Sequence, residues 1–122
     1  MKKCCLILLT HGSKRPVWRK PFETLLRNLR KETGQTNIHL AHMELAPPSL
    51  EDVVAQAVTD GVTQIRILPL FMSSGTHLIK DIPAKVKALM RQHRGVKIET
   101  LPPLGSHPRF LKMMLELTRD YV

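Results

Sequence analysis

The sequence predicts an α/β fold, an open parallel sheet of four strands in the order 2-1-3-4 with helices on both faces. Three observations lead there. Short apolar runs alternate along the chain with longer stretches whose apolar residues recur at helical spacing. Proline, glycine and serine punctuate the junctions between them. The intervening stretches are long enough to be right-handed crossover helices, which join parallel strands rather than hairpins. With 122 residues, 43% of them hydrophobic, one domain over residues 1–122 is expected.

Residues 4–9 form an unbroken apolar run, as a strand covered on both faces requires. Lys2 and Lys3 ahead of it imitate the start of a secretory signal. The run is short, however, and passes into Thr10, His11 and Gly12 without a small-residue cleavage site, so a cytoplasmic first strand is expected. Residues 17–31 carry Leu25, Leu26 and Leu29 at helical spacing, and residues 37–43 are strand-like. After Pro47 and Pro48, Ser49 is placed to cap a helix with Glu51 and Asp52 in its first turn; Val53, Val54, Ala57 and Val58 are its buried stripe and Gly61 closes it.

Residues 65–70 make a third strand, which must finish near Pro69 because proline cannot donate a ladder hydrogen bond. A third helix is expected over 79–94, with Ile82, Val86, Leu89 and Met90 inward and Pro83 in its first turn. Residues 96–100 form the fourth strand, and Pro102, Pro103 and Gly105 a turn. The closing helix spans 108–121, with Phe110, Leu111, Met114, Leu115 and Leu117 expected to face inward.

Composition excludes several classes. Cys4 and Cys5 are adjacent, so on a strand they point to opposite faces, and they match no thiolate metal spacing. They read as small buried residues in a reducing compartment. No apolar run approaches the roughly 18 residues of a spanning helix. The net charge of +9 calls for an anionic partner. It is concentrated in residues 14–31 and 80–97, the helices after the first and third strands. A nucleic-acid binder would need stacking aromatics, yet only 4% of residues are aromatic.

In an open parallel sheet, ligands sit beyond the carboxyl ends of the strands where the strand order reverses. In the flavodoxin-like order 2-1-3-4, that crevice lies between the first and third strands. The residues that follow those strands are Thr10, His11, Gly12 and Ser13, then Ser73, Ser74, Gly75, Thr76 and His77. Glu44 adds a carboxylate after the second strand. Two imidazoles and one carboxylate on loops suit a borderline divalent cation such as cobalt, iron, nickel or zinc rather than magnesium. Lys14, Arg15, Arg19, Lys20 and Lys80 open the two basic helices beside the crevice, where helix amino termini and side-chain cations favour an anion. His39 and His42 fall on opposite faces of the second strand; a structural role is expected for His42, as it is for His93 and for His107 at the opening of the last helix.

Residues 8–13 (Leu-Leu-Thr-His-Gly-Ser), 44–50 (Glu-Leu-Ala-Pro-Pro-Ser-Leu), 69–83 (Pro-Leu-Phe-Met-Ser-Ser-Gly-Thr-His-Leu-Ile-Lys-Asp-Ile-Pro) and 103–108 (Pro-Leu-Gly-Ser-His-Pro) together resemble the short form of the sirohydrochlorin cobaltochelatase family. The resemblance runs in order through nearly the whole chain, and the third block is its most specific part. It implies a chelatase-like fold and insertion of a divalent metal, cobalt first with iron or nickel as alternatives, into a polycarboxylate tetrapyrrole. The family's metal-site histidines map onto His11 and His77, its acidic position onto Glu44, and short members are expected to act as homodimers.

The chemistry agrees. Metallation exchanges two pyrrole protons for one cation, and imidazole, with an ordinary pKa of about 6.5, can both ligate the ion and accept a proton near neutrality. Gly12, Ser13, Ser73, Ser74, Gly75 and Thr76 are candidates to hold the ring's carboxylates. No organic cofactor, nucleic acid or membrane is expected. Rival readings are a metal- or tetrapyrrole-binding module without catalysis, a basic nucleic-acid-binding domain, and a histidine phosphatase. For the last, Thr10 stands where that family has arginine.

Overall fold

The computed structural model describes residues 3–73 and 75–122, with the side chains of residues 76–79 excepted. Its elements run β1 (Cys4–Thr10), α1 (Pro16–Thr33), β2 (Ile38–His42), α2 (Leu50–Thr59), β3 (Gln64–Pro69), α3 (Thr76–Gln92), β4 (Lys97–Thr100) and α4 (Pro108–Tyr121), with a 3-10 turn at Leu104–Ser106 ahead of α4. The sheet is parallel throughout and ordered β2-β1-β3-β4, as the alternation of elements predicts. No helix among the described residues is long and apolar enough to cross a membrane.

Side-chain alternation on β1 sorts the core into two layers. Cys5, Ile7 and Leu9 join Ile65 and Ile67 of β3 and Ile98 of β4 on one face, under Leu50, Val54 and Ala57 of α2 and Ile82, Val86 and Leu89 of α3. Burial raises the pKa of the Cys5 thiol, and Cys4 adds to the effect. On the other face Leu8, Ile38 and Leu40 meet Phe22, Leu26 and Leu29 of α1. Ser49 caps α2 as expected, its hydroxyl accepting from the Asp52 N–H at 3.1 Å. A 2.6 Å ion pair between Lys85 and Glu51 ties α3 to α2.

Two expectations need correction. The third helix begins at Thr76 rather than 79, so Pro83 lies inside it, on the exposed side, and His77 sits in the first helical turn instead of a loop. The inward face expected for the last helix is also absent. Leu111, Met114, Leu115 and Leu117 are exposed, and no residue of α4 is buried. The physical reason lies at the root of the helix. Gly105 packs so closely that a Cβ there would lie 1.7 Å from the Met72 carbonyl oxygen, and its amide donates to the Phe71 carbonyl at 2.9 Å. The 3-10 turn is thereby fastened to the loop after β3 and directs α4 away from the sheet. The β3–β4 half of the α1 face stays partly open, and there Arg66 and Glu99 form an exposed cross-strand pair at 3.2 Å.

Candidate active site

The carboxyl ends of β1 and β3 lie side by side. Leu9 is in register with Pro69, and the Leu70 amide donates to the Leu9 carbonyl at 2.8 Å. Two residues further along, His11 and Phe71 bring their rings to 4.6 Å, tilted by 45°. Phe71 is buried and His11 exposed, so an apolar ring backs the imidazole while its other side meets solvent. Sequence reasoning missed Phe71. Its signal was its place one residue after the third-strand segment, next to the expected crevice.

On the opposite side, β1 and β2 remain joined beyond their last rung. The Met43 amide donates to the Thr10 carbonyl at 2.9 Å and the Glu44 amide to the His11 carbonyl at 3.1 Å. Gly12 has φ +97°, and a Cβ there would fall 1.7 Å from the Glu44 carbonyl oxygen. This close approach and this backbone conformation are why glycine follows His11. The structure therefore places His11 between Glu44 on one flank and Phe71 on the other. The Glu44 side chain is exposed at this edge.

Below this layer sits a buried polar pair. Thr10 and His42 face each other in register at the ends of β1 and β2, and Thr10 Oγ1 shares a hydrogen bond with His42 Nδ1. The Trp18 ring of α1 lies 6.4 Å from the His42 ring. Burial pushes the His42 pKa down, Arg19 adds to that, and Glu23 opposes it. The two side chains share the face that carries Leu8 and Leu40, which the alternation of β1 and β2 fixes once the strand order is known.

The remaining candidates divide. The Ser13 hydroxyl accepts from the Arg15 N–H at 3.1 Å, and the Ser13 carbonyl accepts from Arg19 Nη1 at 3.0 Å. Arg19 thus braces the loop instead of reaching into the crevice. Ser73 is exposed, and Gly75 caps α3 without a side-chain hydrogen bond. Neither α1 nor α3 has an acidic residue in its first turn, which leaves both amino termini electropositive. Ser74 and the Thr76 and His77 side chains lie outside the described residues; the His77 backbone is one residue into α3, beyond the end of β3. His107 accepts from the Arg109 N–H at 3.1 Å, the cap role expected of it. Among the described residues no three His, Cys, Asp or Glu side chains converge as a metal cage.

The model of the CbiX family matches residues 5–121. The chain belongs to the CbiX family. It is 30% identical over 135 residues to a sirohydrochlorin cobaltochelatase of Methanopyrus kandleri, covering 94% of each chain. It is 28% identical over 117 residues to the chloroplastic sirohydrochlorin ferrochelatase of Arabidopsis thaliana, covering 96% of this chain and 50% of that protein. Among the curated relatives it matches, it thus spans half the length of one and nearly all of another. The crystal structure of a CbiX protein from Marinobacter aquaeolei superposes with a TM-score of 0.83 at 36% identity, covering 97% and 96% of the two chains. Cobalt-bound SirB of Bacillus subtilis shares the fold, with a TM-score of 0.79 at 21% identity over 51% of that chain. The CbiX-type sheet order is thus the one read here from the sequence.

Proposed function

We propose that this chain, as one chelatase-like domain over residues 1–122, inserts a divalent metal into sirohydrochlorin or a similar polycarboxylate tetrapyrrole. Cobalt is the metal favoured, with iron or nickel as alternatives. The observation that carries the reading is the exposed His11 imidazole held at the carboxyl edge between Glu44 and Phe71, in a chain of the CbiX family.

His11, with His77 from the first turn of α3, holds the incoming ion. Replacing pyrrole N–H by N–metal releases two protons for each ion inserted; the histidines and Glu44 accept them and pass them to water. Ring carboxylates meet the amides and hydroxyls of Gly12, Ser13, Ser73, Ser74, Gly75 and Thr76 and the amino termini of α1 and α3. On this reading the +9 charge serves an anionic ring rather than nucleic acid.

A second copy completes the assembly, and what supports this is α4. At 100° per residue, its apolar side chains cover about 200° of arc, far wider than the usual stripe of a surface helix. Leu111, Met113, Met114, Leu115, Leu117 and Tyr121 are 41–84% exposed. At about 200 Å² per fully exposed large side chain, they offer on the order of 600 Å² per copy, approaching the ~800 Å² per partner of a stable interface. Beside them a groove of about 490 Å³ runs between Leu6, Leu68 and Leu101 of the open sheet face and Phe110 and Met113 of α4. Two copies that exchange α4 cover both surfaces at once.

The test is anaerobic incubation with sirohydrochlorin and Co²⁺ or Fe²⁺, followed by visible absorption. Metallation above the spontaneous rate is expected, with a loss of about a hundredfold in His11→Ala and His77→Ala and about tenfold in Glu44→Ala. Cobalt binding that leaves the ring spectrum unchanged identifies a binding module instead.

A further inference from the structure

Only three polar or charged residues among those described are buried: Thr10 at 1% exposure, His42 at 2% and Gln64 at 8%. Two of the three are bonded to each other, and they lie directly beneath the crevice. Their neighbours on that face, Leu8, Ile38 and Leu40, are aliphatic. An apolar pair there would avoid desolvating a hydroxyl and an imidazole, each of which needs a hydrogen-bond partner when buried. Polar residues at this one rung therefore call for an explanation other than burial.

Their position supplies it. Thr10 is joined covalently to His11, and His42 lies two residues before Glu44. The Thr10 carbonyl holds the Met43 amide, the His11 carbonyl holds the Glu44 amide, and the His42 amide donates to the Pro48 carbonyl at 2.9 Å. Gly12 rests on the same pair, since a Cβ there would lie 3.2 Å from the His42 Cβ. Trp18, its ring 4.9 Å from that of Phe22 and tilted by 46°, also lies beside the His42 ring. The hydrogen bond thus sits at the point from which both His11 and Glu44 leave the sheet. Aliphatic packing resists separation but tolerates sliding, whereas a hydrogen bond also fixes direction. Reacting groups displaced by about 1 Å can lose much of their rate.

We infer that the buried Thr10–His42 hydrogen bond is a clamp that sets the relative position of His11 and Glu44, making Thr10 and His42 positioning residues. The inference rests on the reading of His11 as metal acceptor, so one readout is chosen that does not depend on activity.

Thr10→Val keeps the shape and removes the hydroxyl, while Thr10→Ser restores it; His42→Leu and His42→Asn form the matching pair. The first readout is the NMR shift of the His11 ring protons, which carry the ring-current effect of Phe71. The second is metallation kinetics, and the third is thermal unfolding. Thr10→Val is expected to move the His11 resonances and to lower kcat about tenfold, with KM for the tetrapyrrole within twofold of the parent. Thr10→Ser returns both to near-parental values. If Thr10→Val does not fold, His42→Leu against His42→Asn gives the same contrast. Unmoved His11 resonances with parental kcat in Thr10→Val overturn the clamp. So does an equal loss in Thr10→Val and Thr10→Ser, because the size of residue 10 rather than its hydroxyl would then be what matters. His11 resonances that respond as expected in a chain that metallates nothing leave the clamp standing and remove the chelatase reading.

Discussion

Gly12 and Glu44 meet backbone to backbone, so closely that a single methyl group at position 12 would fall 1.7 Å from the Glu44 carbonyl oxygen. The contact locks the loop after β1 to the loop after β2, the two segments that carry His11 and the one acidic candidate. Gly12→Ala is expected to force these loops apart and to strain the backbone at φ +97°. A loss of about 1–3 kcal/mol follows from the strain alone. Thermal unfolding and metallation should fall together, and a variant with parental values of both would contradict the contact.

Phe71 gives a separable effect. Phe71→Leu retains most of the buried volume, so stability should fall by less than about 1.5 kcal/mol. It removes the ring that backs His11. Metallation is expected to drop several-fold more than the stability change explains, which steady-state kinetics beside a melting curve will show.

The proposed dimer is tested on α4. Leu111→Glu and Leu115→Glu each place a carboxylate in the apolar arc at a residue now 63% and 46% exposed. Either change should halve the mass seen by light scattering, from two chains to one, while far-ultraviolet circular dichroism stays nearly constant. A parental chain already monomeric at micromolar concentration would remove the exchange.

Acid should destabilise the fold in two separate windows. His42 is held below its ordinary 6.5 by burial and Arg19, and His39 by burial and Arg30, against Asp60. In the unfolded chain both return to about 6.5, so below that pH the unfolded state binds more protons than the folded one. Their contribution is therefore complete above pH 6.5 and is lost as pH falls through the folded values. Glu51 acts lower. Burial is the largest single influence and raises its pKa, but the hydrogen bond and charge of Lys85, with hydrogen bonds from its own backbone N–H and from Ser49, together outweigh this and leave it below the ordinary 4.5. Its small, solvent-screened contribution is present above pH 4.5 and is lost as pH falls further. The melting temperature should decline from pH 7 toward 5, and less steeply in His39→Gln; a rise on acidification contradicts the assignment.

Much of this was legible in the residues. The strand order, the crevice, the Ser49 cap and the end of β3 at Pro69 all follow from local pattern and from the rules of parallel sheets. The Thr10–His42 bond was not, because it needs the β1–β2 register as well as the order. Phe71 read as one more apolar residue, since nothing local says that it meets His11. The helix start at Thr76 was obscured by Pro83, which reads as a first-turn residue yet lies inside α3 on its exposed side. The outward path of α4 is set by the backbone contact between Gly105 and Met72, 33 residues apart in the chain, which no periodicity encodes. An amphipathic pattern says that a helix has a face to cover but not which molecule covers it.

The central place of β1 bears on how the molecule comes into being. During synthesis β1 is followed by one neighbour, β2, about thirty residues later, and by the other, β3, only about sixty residues later. Until Gln64–Pro69 has been synthesised, one whole edge of an unbroken apolar ribbon stays open. Closing it requires a long loop, which slows folding. A nascent or truncated chain that stops short of β3 therefore presents the kind of sticky edge that recruits other strands into aggregates.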